Sequence, residues 1–189
     1  MKRLLTGLKP TSDQLHFGNY FGAIVPLLEY QNNADMDIFL FVANLHALTT
    51  IHDGKKLSHN TLQIIKIYLA CGIDPERATI YNQAMIPAHT QLQWLLSCVT
   101  HLGFIERMHA YKDAVNKGKV NEINMGTLSY PILMAADILL YDADLVPVGK
   151  DQKQHVEFAR DIAQKFNATF GECFTLPAPL IQDHLATIP

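Results

Sequence analysis

The sequence is short of charge. Only 17% of its 189 residues are Asp, Glu, Lys or Arg, against 49% hydrophobic ones, and the formal net charge is −3. Soluble domains usually carry about 25% charged residues. That excludes a disordered chain or a solvated coiled coil, and it leads us to expect that some surface meets a partner subunit or a further part of the protein. Near-neutrality also excludes a general nucleic-acid sponge, so any RNA contact needs a local patch or another domain. Long apolar runs are absent: none reaches the ~18 residues of a transmembrane helix. Lys2 and Arg3 are followed by only a few apolar residues before Thr6 and Gly7. That is too short for a signal peptide, so a cytoplasmic location and no membrane contact are expected. Cysteine is scarce as well. Cys71, Cys98 and Cys173 are odd in number and show no CxxC spacing, which reads as free core thiols rather than a zinc or redox site. Neither GxGxxG nor a Walker lysine pattern occurs, and the nine histidines show no HExxH-type interval. No metal site is therefore expected.

What is present is an alternation of two periods, without internal repeats. Arg3 to Leu8 reads as a short strand, and Asp37 to Ala43 (DIFLFVA) as a strand buried on both faces. Thr79 to Tyr81 and Asp144 to Val148 are shorter candidates. Between them lie helical spacings: Leu62, Ile65 and Leu69, then Val156, Ala159, Ile162, Ala163 and Phe166. Length favours one domain, large enough to bury roughly 70% of its extended surface. The pattern predicts an α/β fold, an open parallel sheet with helices on both faces. The stretch from Gln91 to Leu140 is nearly all helical and reads as an insertion over about 88–128, with a loop at Val115 to Asn121. Ligands of such sheets bind beyond the carboxyl ends of the strands. Function is therefore expected just after Leu5, Ala43, Tyr81 and Val148.

Three segments carry chemistry. In Thr6 to Tyr20 (TGLKPTSDQLHFGNY) a strand gives way to a loop and then to a helix opening near Phe17. A helix start suits phosphate, and His16 and Asn19 would share one face of the first turn. Taken alone, the HxGN run reads as an ordinary cap with a surface histidine. In Ser129 to Gly149, Pro131 suits the first turn of a helix, and Tyr130, Met134 and Asp137 fall on one face. Asp137 stands alone in an apolar run. It is either a structural carboxylate or one that waits for a ligand N–H, and spacing leaves both open. In Val146 to Asp161, Asp151 can cap a helix or accept from a ribose diol. Trp94, Leu95 and Leu96 read as core or interface.

In this order and at these separations, the three segments closely resemble the bacterial tryptophanyl-tRNA synthetase family of class I aminoacyl-tRNA synthetases, from Thr6 to Ile188. HFGN resembles the HIGH signature of that class. The run YPILMAADILLYDADLVPVGKDQKQH is more specific to the tryptophan enzymes, and Leu45 to Thr49 and Gly72 to Gln83 match too. The resemblance implies a Rossmann-like domain that activates tryptophan with ATP and Mg²⁺ and transfers it to tRNA(Trp), working as a homodimer. It implies that His16, Gly18, Asn19, Lys150 and Asp151 are catalytic. Lys9, Pro10, Thr11, Gly18, Asn19, Gly149, Lys150, Asp151 and Ile188 would hold ATP. Leu5, Gly7, His46, Tyr130, Met134, Asp137, Val146, Val148 and Gln152 would hold tryptophan, with Asp137 accepting the indole N–H.

Departures from the family pattern are local. The loop reads PTSDQLH where a shorter PTGxLH is common, Asn44 stands where Asp is usual, and Pro26 falls in the first helix. Ala114 replaces a lysine, which leaves Lys117 or Lys119 to reach phosphate. The sequence stops before the position of a KMSKS loop and of an anticodon-binding helical domain. That leads us to expect a fragment with impaired catalysis. The alternative is a non-catalytic tryptophan- or ATP-binding or dimerising fragment of such an enzyme.

Overall fold

The computed structural model describes residues 1–14, 18, 20–116, 123–149 and 152–181. Five strands form one parallel sheet: β1 (Lys2–Leu8), β2 (Met36–Val42), β3 (Ala78–Asn82), β4 (Leu145–Val148) and β5 (Ala178–Ile181), in the order β3-β2-β1-β4-β5. The α/β expectation holds. The chain builds outward from β1 to β3 and then returns to β1's other edge for β4 and β5. β1 and β4 therefore flank the point where strand order reverses, where open α/β sheets hold their ligands.

Alternation on the strands splits the core in two. Ile38, Leu40 and Val42 face one layer with Leu4 and Ile24. Leu5 and Phe41 face the other, with Leu96, Ile132 and Val156. Helices cover both faces: α1 (Val25–Tyr30), α2 (Asn44–Ala47), α3 (Gly54–Ala70), α4 (Ala88–Ser97), α5 (Leu102–Ile105), α6 (His109–Asn116), α7 (Met125–Leu139) and α8 (Lys153–Phe170). Asp53 caps α3 by accepting from the Lys55 and Lys56 amides, and the helix ends into Gly72 at φ +99°. Asn124 caps α7 through the Thr127 N–H, at 2.8 Å. α8 buries Val156, Ala159, Ile162 and Ala163, with Phe166 half-buried, as its spacing predicts.

Several expectations are corrected. On α3 the buried face is Asn60, Thr61, Ile64 and Tyr68, whereas Leu62 and Leu69 are exposed. The cysteines are free, but Cys98 and Cys173 are exposed and only Cys71 is partly covered. Pro131 lies inside α7 rather than in its first turn. Having no N–H, it cannot bond the Thr127 carbonyl four residues back. Val115 and Asn116 belong to α6, not to a loop. Pro26 occupies the first turn of α1 and follows a π turn at Tyr20–Ile24, so its missing N–H falls where the α pattern has barely begun. β5 is a fifth strand, beyond the four that the sequence pattern predicts.

Candidate active site

A cleft of about 870 Å³ opens at the carboxyl ends of β1 and β4. β1 contributes Leu5 and Gly7, and β4 contributes Val146 and Val148, with Gly149 just beyond. Phe41 of β2 and His46 of α2 close one side, while Tyr130, Met134 and Asp137 of α7 form another wall. All nine residues expected to hold tryptophan line this cleft, Gln152 included. Gly7 is glycine for a steric reason: a Cβ there would sit 2.6 Å from the Phe41 ring.

Asp137 is 1% exposed but is not a lone carboxylate. Its Oδ2 lies 2.8 Å from His46 Nε2, and its Oδ1 lies 2.7 Å from His89 Nδ1. Gln83 Nε2 donates to both oxygens, at 2.8 and 2.9 Å. The Leu45 amide donates to Gln83 Oε1 at 3.0 Å, which fixes the orientation of that amide. Burial pushes the Asp137 carboxyl upward, but hydrogen bonds and charge from His46 and His89 outweigh it and hold the group below the usual Asp value. The four short contacts answer the cost of burying a carboxylate in an apolar helix. His46 is 12% exposed at the cleft side, whereas His89 lies wholly behind it.

Tyr130 points its hydroxyl to within 2.9 Å of His155 Nε2, and burial raises its pKa. Its ring meets His46 edge-on. Lys9 reaches Thr49 Oγ1 at 3.0 Å, and burial lowers its pKa. Pro10 is buried, and its carbonyl accepts from Asn60 Nδ2 at 3.2 Å. Thr11 and Gly18 are exposed. Of the expected ATP residues, Lys9 and Gly149 line the cleft. His16, Asn19, Lys150, Asp151 and Ile188 lie outside the described residues, as do Lys117 and Lys119. The N-cap position of α8 is Gln152, with no side-chain cap bond. Asn44 Oδ1 accepts the Ala84 amide at 3.0 Å.

Sequence reasoning missed Gln83, His89 and His155. Gln83 directly follows β3, so the rule of strand carboxyl ends points to it. His89 gives no local signal, because its partner Asp137 is 48 residues away.

A family model described as tRNA synthetases class I (W and Y) matches residues 1–188. The tryptophan–tRNA ligase of Fusobacterium nucleatum is 52% identical over 190 residues, covering 100% of this chain and 57% of that protein. The crystal structure of tryptophanyl-tRNA synthetase from Campylobacter jejuni, complexed with ADP and tryptophan, is similar with a TM-score of 0.89 at 49% identity, over 97% of this chain and 56% of that one. The tryptophanyl-tRNA synthetase from Mycoplasma pneumoniae gives a TM-score of 0.87 at 39% identity, over 95% and 52%. The chain spans just over half the length of these relatives.

Proposed function

Because the chain belongs to the class I tRNA synthetases of the tryptophan and tyrosine group, we propose that its cleft binds tryptophan and ATP and joins them as tryptophanyl-adenylate. The tryptophan carboxylate attacks the α-phosphorus, and pyrophosphate leaves. The acyl group then passes to the terminal ribose of tRNA(Trp). No covalent bond to the protein is needed, so catalysis consists of positioning and of charge stabilisation at phosphorus. Support comes above all from one observation: the cleft lies at the reversal of strand order and is apolar on most sides, with one buried carboxylate in its wall.

In this reading the indole enters between Leu5, Gly7, Met134, Val146 and Val148. Its N–H approaches Asp137 Oδ2 from the His46 side. Oδ2 already faces His46 Nε2 at 2.8 Å and Gln83 Nε2 at 2.9 Å, so the indole N–H takes the place of one of these donors. Tyr130 and Gln152 receive the α-ammonium. Lys9, Pro10 and Thr11 border the ATP, Gly149, Lys150 and Asp151 hold its ribose, and Ile188 meets adenine. His16, Gly18 and Asn19 act at the phosphates. In this reading Mg²⁺ arrives with ATP as part of the substrate and neutralises phosphate charge. Tryptophan, ATP and tRNA place the work in the cytoplasm, and no described helix is long and apolar enough to cross a membrane.

We assign a homodimer to the same reading. Met85, Trp94, Leu95, Leu102 and Met125 are exposed apolar side chains. They sit on or beside α4, α5 and α7, and α7 packs against both α4 and α5. In this reading they meet a second copy of the chain across a two-fold axis.

Calorimetric titration of parent and Asp137→Ala with L-tryptophan and with ATP tests the assignment. Tryptophan affinity is expected to fall at least tenfold in the variant while ATP affinity changes little, because a buried acceptor selects for its donor. Equal tryptophan binding by both proteins would remove Asp137 from the site.

A further inference from the structure

We propose that His89 is a positioning residue for ligand selection: it holds Asp137 Oδ1 from behind, which leaves Oδ2, on the His46 side, as the oxygen that meets a ligand, so that the site prefers a ring bearing an N–H donor. This rests on the reading above, in which Asp137 meets the indole.

The geometry carries it. His89 is 0% exposed and takes no part in lining the cleft. Its ring stacks on Tyr81, at 5.9 Å and 24°, and lies tilted against Phe41 and Tyr141. Nδ1 stands 2.7 Å from Asp137 Oδ1, and Nε2 stands 3.2 Å from the Tyr141 hydroxyl. The orientation of this chain follows from the donors. Gln83 can only donate from Nε2 and spans both carboxylate oxygens, so those oxygens accept. His89 must then carry its proton on Nδ1. In the neutral ring, Nε2 is left as the acceptor for the Tyr141 O–H. Three aromatic neighbours prevent the ring from turning. Without this donor, Oδ1 would be a buried acceptor sharing one amide N–H with its twin. The carboxylate would gain by rotating or taking up a proton, and either change spoils Oδ2 as an acceptor for a ligand.

The readout is a ratio of affinities. L-tryptophan is compared with 3-benzothienyl-L-alanine, which has the same shape with sulfur in place of the N–H. In the parent, tryptophan is expected to bind at least tenfold tighter. His89→Asn can place its amide N–H where Nδ1 stood and keeps that ratio. His89→Gln puts its amide nearer the Nε2 position, and the ratio falls to within about threefold of one. A loss of packing alone weakens both ligands together and leaves both ratios alike. Equal ratios in the two variants, high or low, overturn the proposal. If neither variant melts cooperatively, the ratio is read in Tyr141→Phe. It is expected to drop there by a few-fold, and an unchanged ratio overturns the proposal as well. Asp137→Asn separates the two claims. A ratio equal to the parent's in that variant means that the indole reading itself has failed. A collapsed ratio there, with equal His89 variants, overturns only the role of His89.

Discussion

Asp137 is a buried anion that the fold satisfies before any ligand arrives. Its carboxyl titrates below the usual Asp value in the folded state, through His46 and His89, although burial opposes this. A group whose folded pKa is depressed adds stability above its unfolded pKa and loses it as pH falls through the folded value. The melting temperature of the parent should therefore drop below about pH 4, the unperturbed Asp range. Asp137→Asn should be less stable at neutral pH and show a shallower acid decline. Parallel acid profiles by calorimetry would contradict the role given to this network. Gly7 offers a second test. A Cβ 2.6 Å from the Phe41 ring forces that ring to shift, so Gly7→Ala should cost about 1–3 kcal/mol in denaturant melts and weaken tryptophan binding. Asp137 was legible in the sequence as the one charge in an apolar run. Gln83 and His89 were not recognisable as its partners, because 54 and 48 residues of chain separate them from it.

At the scale of the element, legibility followed how cleanly polarity tracked burial. β2 read correctly because it is a continuous apolar run covered on both faces, and α8 because Val156, Ala159, Ile162 and Ala163 are buried at a period of three to four. α3 misled because polar groups occupy its inner face: Asn60 donates to the Pro10 carbonyl, and Thr61 Oγ1 to that of Leu57. β5 hid behind Pro177 and Pro179, and its Pro179 is tolerable because the strand is at the sheet edge. α4 separates core from surface within two residues. Leu96 is fully buried and Trp94 is 71% exposed. Leu96→Ala should cost about 2–5 kcal/mol in chemical denaturation. Trp94→Ala should change protomer stability by no more than about 0.5 kcal/mol and shift the mass seen by light scattering from dimer towards monomer. A chain that is monomeric at high micromolar concentration before any substitution would refute the dimer assignment.

At the scale of the whole molecule, the strand order explains why residues from four separate segments meet. β1 is central, and its two neighbours arrive from opposite directions of chain growth. Leu5 and Gly7, His46, the face of α7 and the end of β4 therefore converge on one opening. The alternation of strands and helices predicted this sheet, and the rule of strand carboxyl ends predicted where its cleft would lie. The positions of His16, Asn19, Lys150, Asp151 and Ile188, which complete the ATP half of the account, are outside the described residues. A crystal structure of the chain with L-tryptophan tests the central claim most directly. The account predicts the indole in the cleft between Gly7, Met134 and Val146, with its nitrogen within about 3.2 Å of Asp137 Oδ2. An indole bound elsewhere, or one whose nitrogen faces away from Asp137, would contradict it.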